Sequence, residues 1–179
     1  RRSVLLMTNA NGTQFAAGEI GELLEKVCPP PRLVGIGWTP DMDPVLEFAS
    51  KLGWECHRVL HDPRMMRETP HVAGEASRTL AAEDMIRTFK PDSTTAVLVM
   101  THHLATDLAF LKEVLPAGYG YVGLLGSKRR RETLLAELGE LGLLEDPLVT
   151  ERLYAPVGLD LGGHHPATIG LAIVAEIQA

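Results

Sequence analysis

The sequence predicts an α/β fold, with helices packed on both faces of an open, mostly parallel sheet of about five strands. Three observations carry that prediction. Ala96 to Met100 is a short apolar run that ends abruptly at Thr101-His102-His103, the pattern of a strand buried on both faces. Leu104, Leu108, Leu111 and Leu115 follow at helical spacing. A second apolar run, Tyr121 to Leu125, closes in Gly126-Ser127 ahead of a charged helix. Strand, helix, strand, helix is a parallel βαβα unit, and such sheets bind ligands beyond the carboxyl ends of their strands.

Ser3 to Thr8 is a short apolar run before a turn signal at Asn9 to Gly12. Glu19 to Val27 reads as a helix with Ile20, Leu23, Leu24 and Val27 on one face, ended by the stiff Pro29-Pro30-Pro31. Residues 1–31 are therefore expected to be a lead-in or the remnant of an N-terminal module, and residues 32–179 one domain. The chain opens at Arg1 with no Met, so a missing upstream domain is an open expectation.

Arg32 to Gly37 reads as the first strand and turn of a Rossmann unit, which makes the architecture a Rossmann-like three-layer sandwich. Gly35 and Gly37 permit a tight turn and close approach to a phosphate. The third glycine of a dinucleotide fingerprint falls at Pro40, and Asp41 and Asp43 place carboxylates at the helix start. A degenerate nucleotide turn and a plain strand-to-helix turn both stand. Val45 to Leu52 is a helix stopped by Gly53, and Trp54 to Leu60 is a strand closing in His61-Asp62. Asp62 holds the position of a ribose-binding carboxylate, but with a degenerate turn it is expected to contribute little. Pro63 to Arg78 is loop-like, with a short strand near His71-Val72-Ala73. Leu80 to Phe89 reads as a helix offering Leu80, Met85, Ile86 and Phe89 to the core. The helix after Ser127 runs to about Leu138, broken by Gly139 and Gly142, and a final helix spans Ala167 to Ile177. The strand order is expected to set Leu33–Gly37 beside Ala96–Met100, with Trp54–Leu60 outside the former, and the crevice between Gly35–Gly37 and Thr101–His103.

The chain of 179 residues is long enough to bury a core, and its formal charge of −6 argues against a nucleic-acid or anionic-membrane partner. Two cysteines make no disulfide framework, so the reading is cytoplasmic. No apolar run reaches transmembrane length. Two histidine pairs, His102-His103 and His164-His165, follow apolar strands, and Asp107 or Asp160 could join them on a metal. Adjacent residues in extended chain point apart, so ordinary loop histidines are the simpler reading. Ser127 is a good N-cap, and Lys128 to Arg131 put cations where the helix dipole disfavours them unless an anion is bound. With Gly126 they suggest an anion pocket, which at most two of the four cations can face. A solvated basic face is the alternative. Nothing resembles an acyl-transfer triad, and Cys56 reads as a buried filler.

Three motifs in order carry a family likeness. Val99-Met-Thr-His102 with Asp107, Tyr121-Val-Gly-Leu-Leu-Gly-Ser127 with Arg129, and Ala155-Pro-Val-Gly-Leu-Asp160-Leu-Gly162 with Pro166, Ile169 and Ala175-Glu-Ile177 resemble the C-terminal Rossmann domain of the XdhC/CoxI family, accessory factors of xanthine dehydrogenase and related molybdenum hydroxylases. The front departs from the family pattern: Gly35-Ile-Gly-Trp38 stands for Gly-Ala-Gly-His, and Thr168 for a Glu. The resemblance implies a carrier and chaperone, rather than a turnover enzyme. It would bind molybdenum cofactor (molybdopterin), protect it during sulfuration by a sulfurtransferase, and deliver it to a molybdenum hydroxylase apo-enzyme. A homodimer is left open. The cofactor-binding positions so implied are Gly35, Gly37, Thr101, His102, Asp107, Gly123, Gly126, Ser127, Arg129 and Asp160, with Arg129 the favoured cation. The residues equally suit an NAD(P)-binding oxidoreductase, and a metal-dependent hydrolase on the histidine pairs is a further alternative.

Overall fold

The computed structural model describes residues 4–9, 12–15, 23–27, 29–67, 69 and 71–179, the first three segments by their backbone alone. The chain divides into two compact units, Arg1–Pro30 and Pro31–Ala179. In the first, β1 (Val4–Asn9) lies between β2 (Gly12–Phe15) and β3 (Leu23–Val27), both antiparallel to it. A helix is expected over Glu19 to Val27, and the structure departs from it. Leu23–Val27 is a strand paired with β1 from Val4↔Val27 to Thr8↔Leu23; residues 19–22, and 10 and 11 of the expected turn, lie outside the described residues. Apolar spacing over so short a run fits either period, and pairing decides.

The second unit is one six-stranded sheet of β4 (Arg32–Ile36), β5 (Glu55–Leu60), β6 (Glu75–Thr79), β7 (Thr95–Val99), β8 (Tyr121–Leu124) and β9 (Leu153–Tyr154), in the order β6-β5-β4-β7-β8-β9, all parallel. Numbered from β4, that is the doubly wound order 3-2-1-4-5-6, with its switch point between β4 and β7. The expected neighbours are therefore found, and the sheet has one strand more than about five. Helices cover both faces. Under one face α2 (Met85–Thr88), α3 (Leu104–Val114) and α4 (Lys128–Glu140) set Met85, Phe110, Leu111 and Leu134 against Val34, Val97 and Val122. On the other, α1 (Met42–Lys51) and α6 (Pro166–Gln178) set Met42, Leu46 and Ile173 against Leu33, Cys56 and Leu98. A short α5 (Pro147–Thr150) leads into β9. At Gly170 an added Cβ would come 2.8 Å from Pro44 Cβ, so this glycine lets α6 press against α1.

Four sequence boundaries move. The strand placed near His71–Ala73 is Glu75–Thr79 instead. Its sequence Glu-Ala-Ser-Arg-Thr has no apolar alternation, because it is an edge strand whose inward Glu75 is buried by an ion pair with Arg58. Leu80 to Phe89 is a 3₁₀ turn at Ala82–Asp84 followed by the single turn of α2, and Ile86 faces solvent. Gly139 lies inside α4, and Gly142, at φ +72°, follows its end. The first helix begins at Met42 rather than Val45, with Pro44 in its first turn, where proline is tolerated.

Candidate functional site

The carboxyl ends of β4, β7 and β8 and the loop before α6 form the crest where a ligand of this fold would sit. At the β4 end Gly37 has φ +112° and donates its N–H to Val59 O at 2.8 Å. An added Cβ there would lie 2.6 Å from Met100 O and 2.8 Å from Thr101 Cα, so the β4 and β7 ends touch at this point. Gly35 is buried, and its Cβ would meet Met42 Sδ at 2.4 Å. It therefore makes room for α1 on the sheet. The N-cap of α1, Asp41, makes no side-chain cap bond, and Asp43 in its first turn pairs with the fully buried Arg58 at 2.7 Å. Arg58 also grips Glu75, with Nε–Oε1 at 3.0 Å and Nη2–Oε2 at 2.9 Å. The start of α1 thus carries two carboxylates, which disfavour a pyrophosphate, and Pro44, which offers it no N–H.

The β7 end is braced from below. Asp107, in the first turn of α3, is fully buried; its Oδ1 accepts from Thr101 N at 3.1 Å and from the Thr101 hydroxyl. Its Oδ2 accepts from Arg130 Nε at 3.1 Å and from Nη2. The turn between strand and helix is fixed on its other side too, since His103 N donates to Thr101 Oγ1 at 3.2 Å and His103 Nδ1 accepts from Thr106 N as the N-cap of α3. Between them His102 is exposed and stands at φ 59°, the left-handed region that a side chain other than glycine enters only at a cost of about 1–2 kcal/mol. Strain of this kind persists where surrounding bonds over-determine it and gathers at functional sites.

At the β8 end, Ser127 caps α4 by accepting from Arg130 N at 3.4 Å. Of the four cations that follow, Lys128 approaches Glu132 at 3.9 Å, Arg129 is exposed, and Arg130 folds back across Gly126 onto Asp107. Gly123 lies inside β8, where its missing side chain makes room for Leu98 and Val157. Beyond Val157 the loop carries Asp160, whose Oδ1 accepts from Gly162 N at 3.1 Å. A cavity of about 160 Å³ opens there, lined by Leu125, Val157, Leu159, Asp160, His164 and Thr168 among others.

The crest therefore brings together Gly37, Thr101, His102, Gly126, Ser127 and, beside them, Asp107 from below. Gly35 and Gly123 are packing positions within the sheet. Asp62, at the β5 tip, is bound by Arg64 at 2.6 Å, which holds its carboxyl down to about 2. Among the described residues no three His, Cys, Asp or Glu side chains gather as a metal cluster, and the histidine pairs do not converge. Burial pushes the Cys56 thiol up to about 11, helped by the charges of Glu75 and Glu55. Sequence reasoning missed the Asp107–Arg130 pair and the Arg58–Glu75–Asp43 cluster. The one signal for the latter was an arginine alternating with Cys56 and Leu60 on the inward face of a strand.

A doubly wound sheet with a crest of this kind defines a Rossmann-type domain. The chain belongs to the XdhC Rossmann domain family, whose model matches residues 33–177. It is 30% identical over 156 residues to a probable xanthine dehydrogenase subunit of Bacillus subtilis (strain 168), covering 86% of this chain and 44% of that protein. Over 88 residues it is 34% identical to the molybdenum cofactor insertion chaperone PaoD of Escherichia coli (strain K12), covering 49% of this chain and 27% of that one. The crystal structure of a xanthine dehydrogenase from Bacillus halodurans superposes with a TM-score of 0.74 at 25% identity, covering 98% of this chain and 59% of that one. The chain thus spans less than half the length of these curated relatives. No helix among the described residues is long and apolar enough to cross a membrane.

Proposed function

We propose that this domain holds molybdenum cofactor during its maturation. It delivers the cofactor, after sulfuration by a sulfurtransferase, to the apo-form of a xanthine dehydrogenase-type molybdenum hydroxylase. The observation that carries the reading is the likeness to a protein named as a molybdenum cofactor insertion chaperone, within a family match that spans the whole sheet. The geometry supports it over NAD(P) binding. Asp41 and Asp43 set carboxylates at the start of α1, where they disfavour a pyrophosphate, and Asp62 at the ribose position is tied to Arg64. What remains equipped is the β7–β8 side: strained His102, the capped and cationic start of α4, and the cavity beside Asp160. A phosphate-bearing pterin offers one anionic end and one planar ring, and this side offers cations at one place and a part-apolar cavity at another. When bound, the cofactor supplies the redox chemistry of the client enzyme; the domain's own residues bind it and shield it.

The test is transfer. The purified chain is loaded with molybdenum cofactor and mixed with apo-hydroxylase, with and without a sulfurtransferase and its sulfur donor. The expected result is hydroxylase activity that depends on the chain and rises when the sulfurtransferase is present. Equal activation by free cofactor in the absence of the chain would overturn the reading.

A further inference from the structure

The cavity beside Asp160 has a size, a lining and a fixed polar group that together specify a ligand class. An apolar cavity of about 150 Å³ takes one benzene ring, and this one, of about 160 Å³, is floored by Leu125, Val157 and Ala172 with polar groups confined to Asp160, His164, Thr168 and the glycine backbone. A cavity of that size admits one ring of a bicycle and leaves the second at the mouth, where Asp160 to His165 are exposed. Thr168 is seated there because Gly163 has no Cβ; one would meet Thr168 Cγ2 at 2.4 Å. The carboxylate of Asp160 lines this cavity. Its Oδ1 accepts from Gly162 N at 3.1 Å and keeps a second lone pair, and among the described residues Oδ2 carries no hydrogen bond. An ionised carboxylate only accepts hydrogen bonds, so its natural partner is a planar ring edge with adjacent N–H donors, and it repels a phosphate.

We propose that this cavity takes a planar heterocycle by a 2-amino-4-oxopyrimidine edge, with Asp160 accepting from the amino group and the neighbouring ring N–H. Such an edge belongs to the pterin of the cofactor and also to guanine. The inference rests on the reading above and deepens it, because it sets the ring at the α6 loop and leaves the cationic start of α4 for the phosphate.

The test uses free heterocycles and the intact chain. Pterin and guanosine carry the edge; lumazine is pterin with a 2-oxo group replacing the 2-amino group. Fluorescence titration of pterin and lumazine, with guanosine as competitor, is expected to show pterin binding tighter than lumazine by about ten- to a hundredfold, the value of a hydrogen bond to a charged group. Asp160→Asn keeps an oxygen for Gly162 and puts an amide N–H₂ where Oδ2 was, so the variant should bind lumazine at least as well as pterin. A reversal of that kind does not follow from loosened structure, and an unchanged melting curve checks the fold of this exposed position. Competition by guanosine at least as effective as pterin would assign the pocket to a guanine base; weaker competition assigns it to the pterin. Equal affinity of the wild type for pterin and lumazine, binding of neither, or a preference for pterin kept by Asp160→Asn, would overturn the proposal. Retention of whole molybdenum cofactor without a pterin preference removes this inference and leaves the functional reading standing; a pterin preference without cofactor retention does the reverse.

Discussion

Arg130→Ala is the substitution whose cost the structure defines best. The Asp107 side chain is fully buried and that of Arg130 is 17% exposed. Removing the guanidinium leaves a buried carboxylate whose hydrogen-bond partners among the described residues are the backbone N–H and hydroxyl of Thr101. Breaking a buried ion pair from one side costs about 3–5 kcal/mol. The retained Thr101 bonds and the part-exposure of Arg130 place this case at the low end, about 3 kcal/mol. For a domain of this size that is a fall in Tm of roughly 6–12 °C. Arg129→Ala, one residue away and exposed, should stay within about 0.5 kcal/mol. Arg130→Lys keeps the charge but loses the fork and should fall between. The assay is urea denaturation followed by circular dichroism, with midpoints compared at constant slope. An Arg130→Ala midpoint no lower than that of Arg129→Ala would refute the claim that Arg130 braces the β7 turn.

Further outcomes follow from single residues. His102→Gly relieves a φ of 59° and should raise stability by about 1 kcal/mol while weakening cofactor retention, a trade seen by pairing denaturation with gel filtration. In a Cys28→Ser background, Cys56, with its thiol pushed to about 11, should react with iodoacetamide at pH 8 on the order of a hundredfold more slowly than a free thiol. Asp62 should titrate near 2 by NMR and return toward the ordinary range in Arg64→Ala. Its folded value lies below the unfolded one of about 3.9, so its contribution to stability is complete above about pH 5 and is lost as pH falls toward 2.

The sheet was legible where strands are buried on both faces. Leu33, Val97, Val99 and Val122 announce themselves as unbroken apolar runs, and the strand order followed from the position of the glycine turn. Glu75–Thr79 and Leu153–Tyr154 were not legible, because edge strands bury little and their pairing is decided by neighbours. The site was half legible. Motif positions such as His102, Ser127 and Asp160 are local in sequence, and the crest collects them because parallel strands end together. Which of four consecutive cations turns inward is not local. Arg130 is selected by a carboxylate 23 residues earlier on another helix, while Arg129, the cation favoured by resemblance, is exposed. The role of Gly35 was also hidden, since a glycine that admits Met42 and one that admits a phosphate look alike in sequence.

Whether the chain retains molybdenum cofactor is decided by one measurement. The chain is incubated with molybdenum cofactor and separated by gel filtration, and molybdenum by mass spectrometry and oxidised pterin by fluorescence are measured across the protein peak. Both are expected to co-elute with the chain at a constant ratio of metal to pterin, and to be reduced when His102 or Asp160 is replaced. A protein peak free of both, with the same chain enhancing the fluorescence of NADH, would contradict cofactor retention and return the crest to dinucleotide binding.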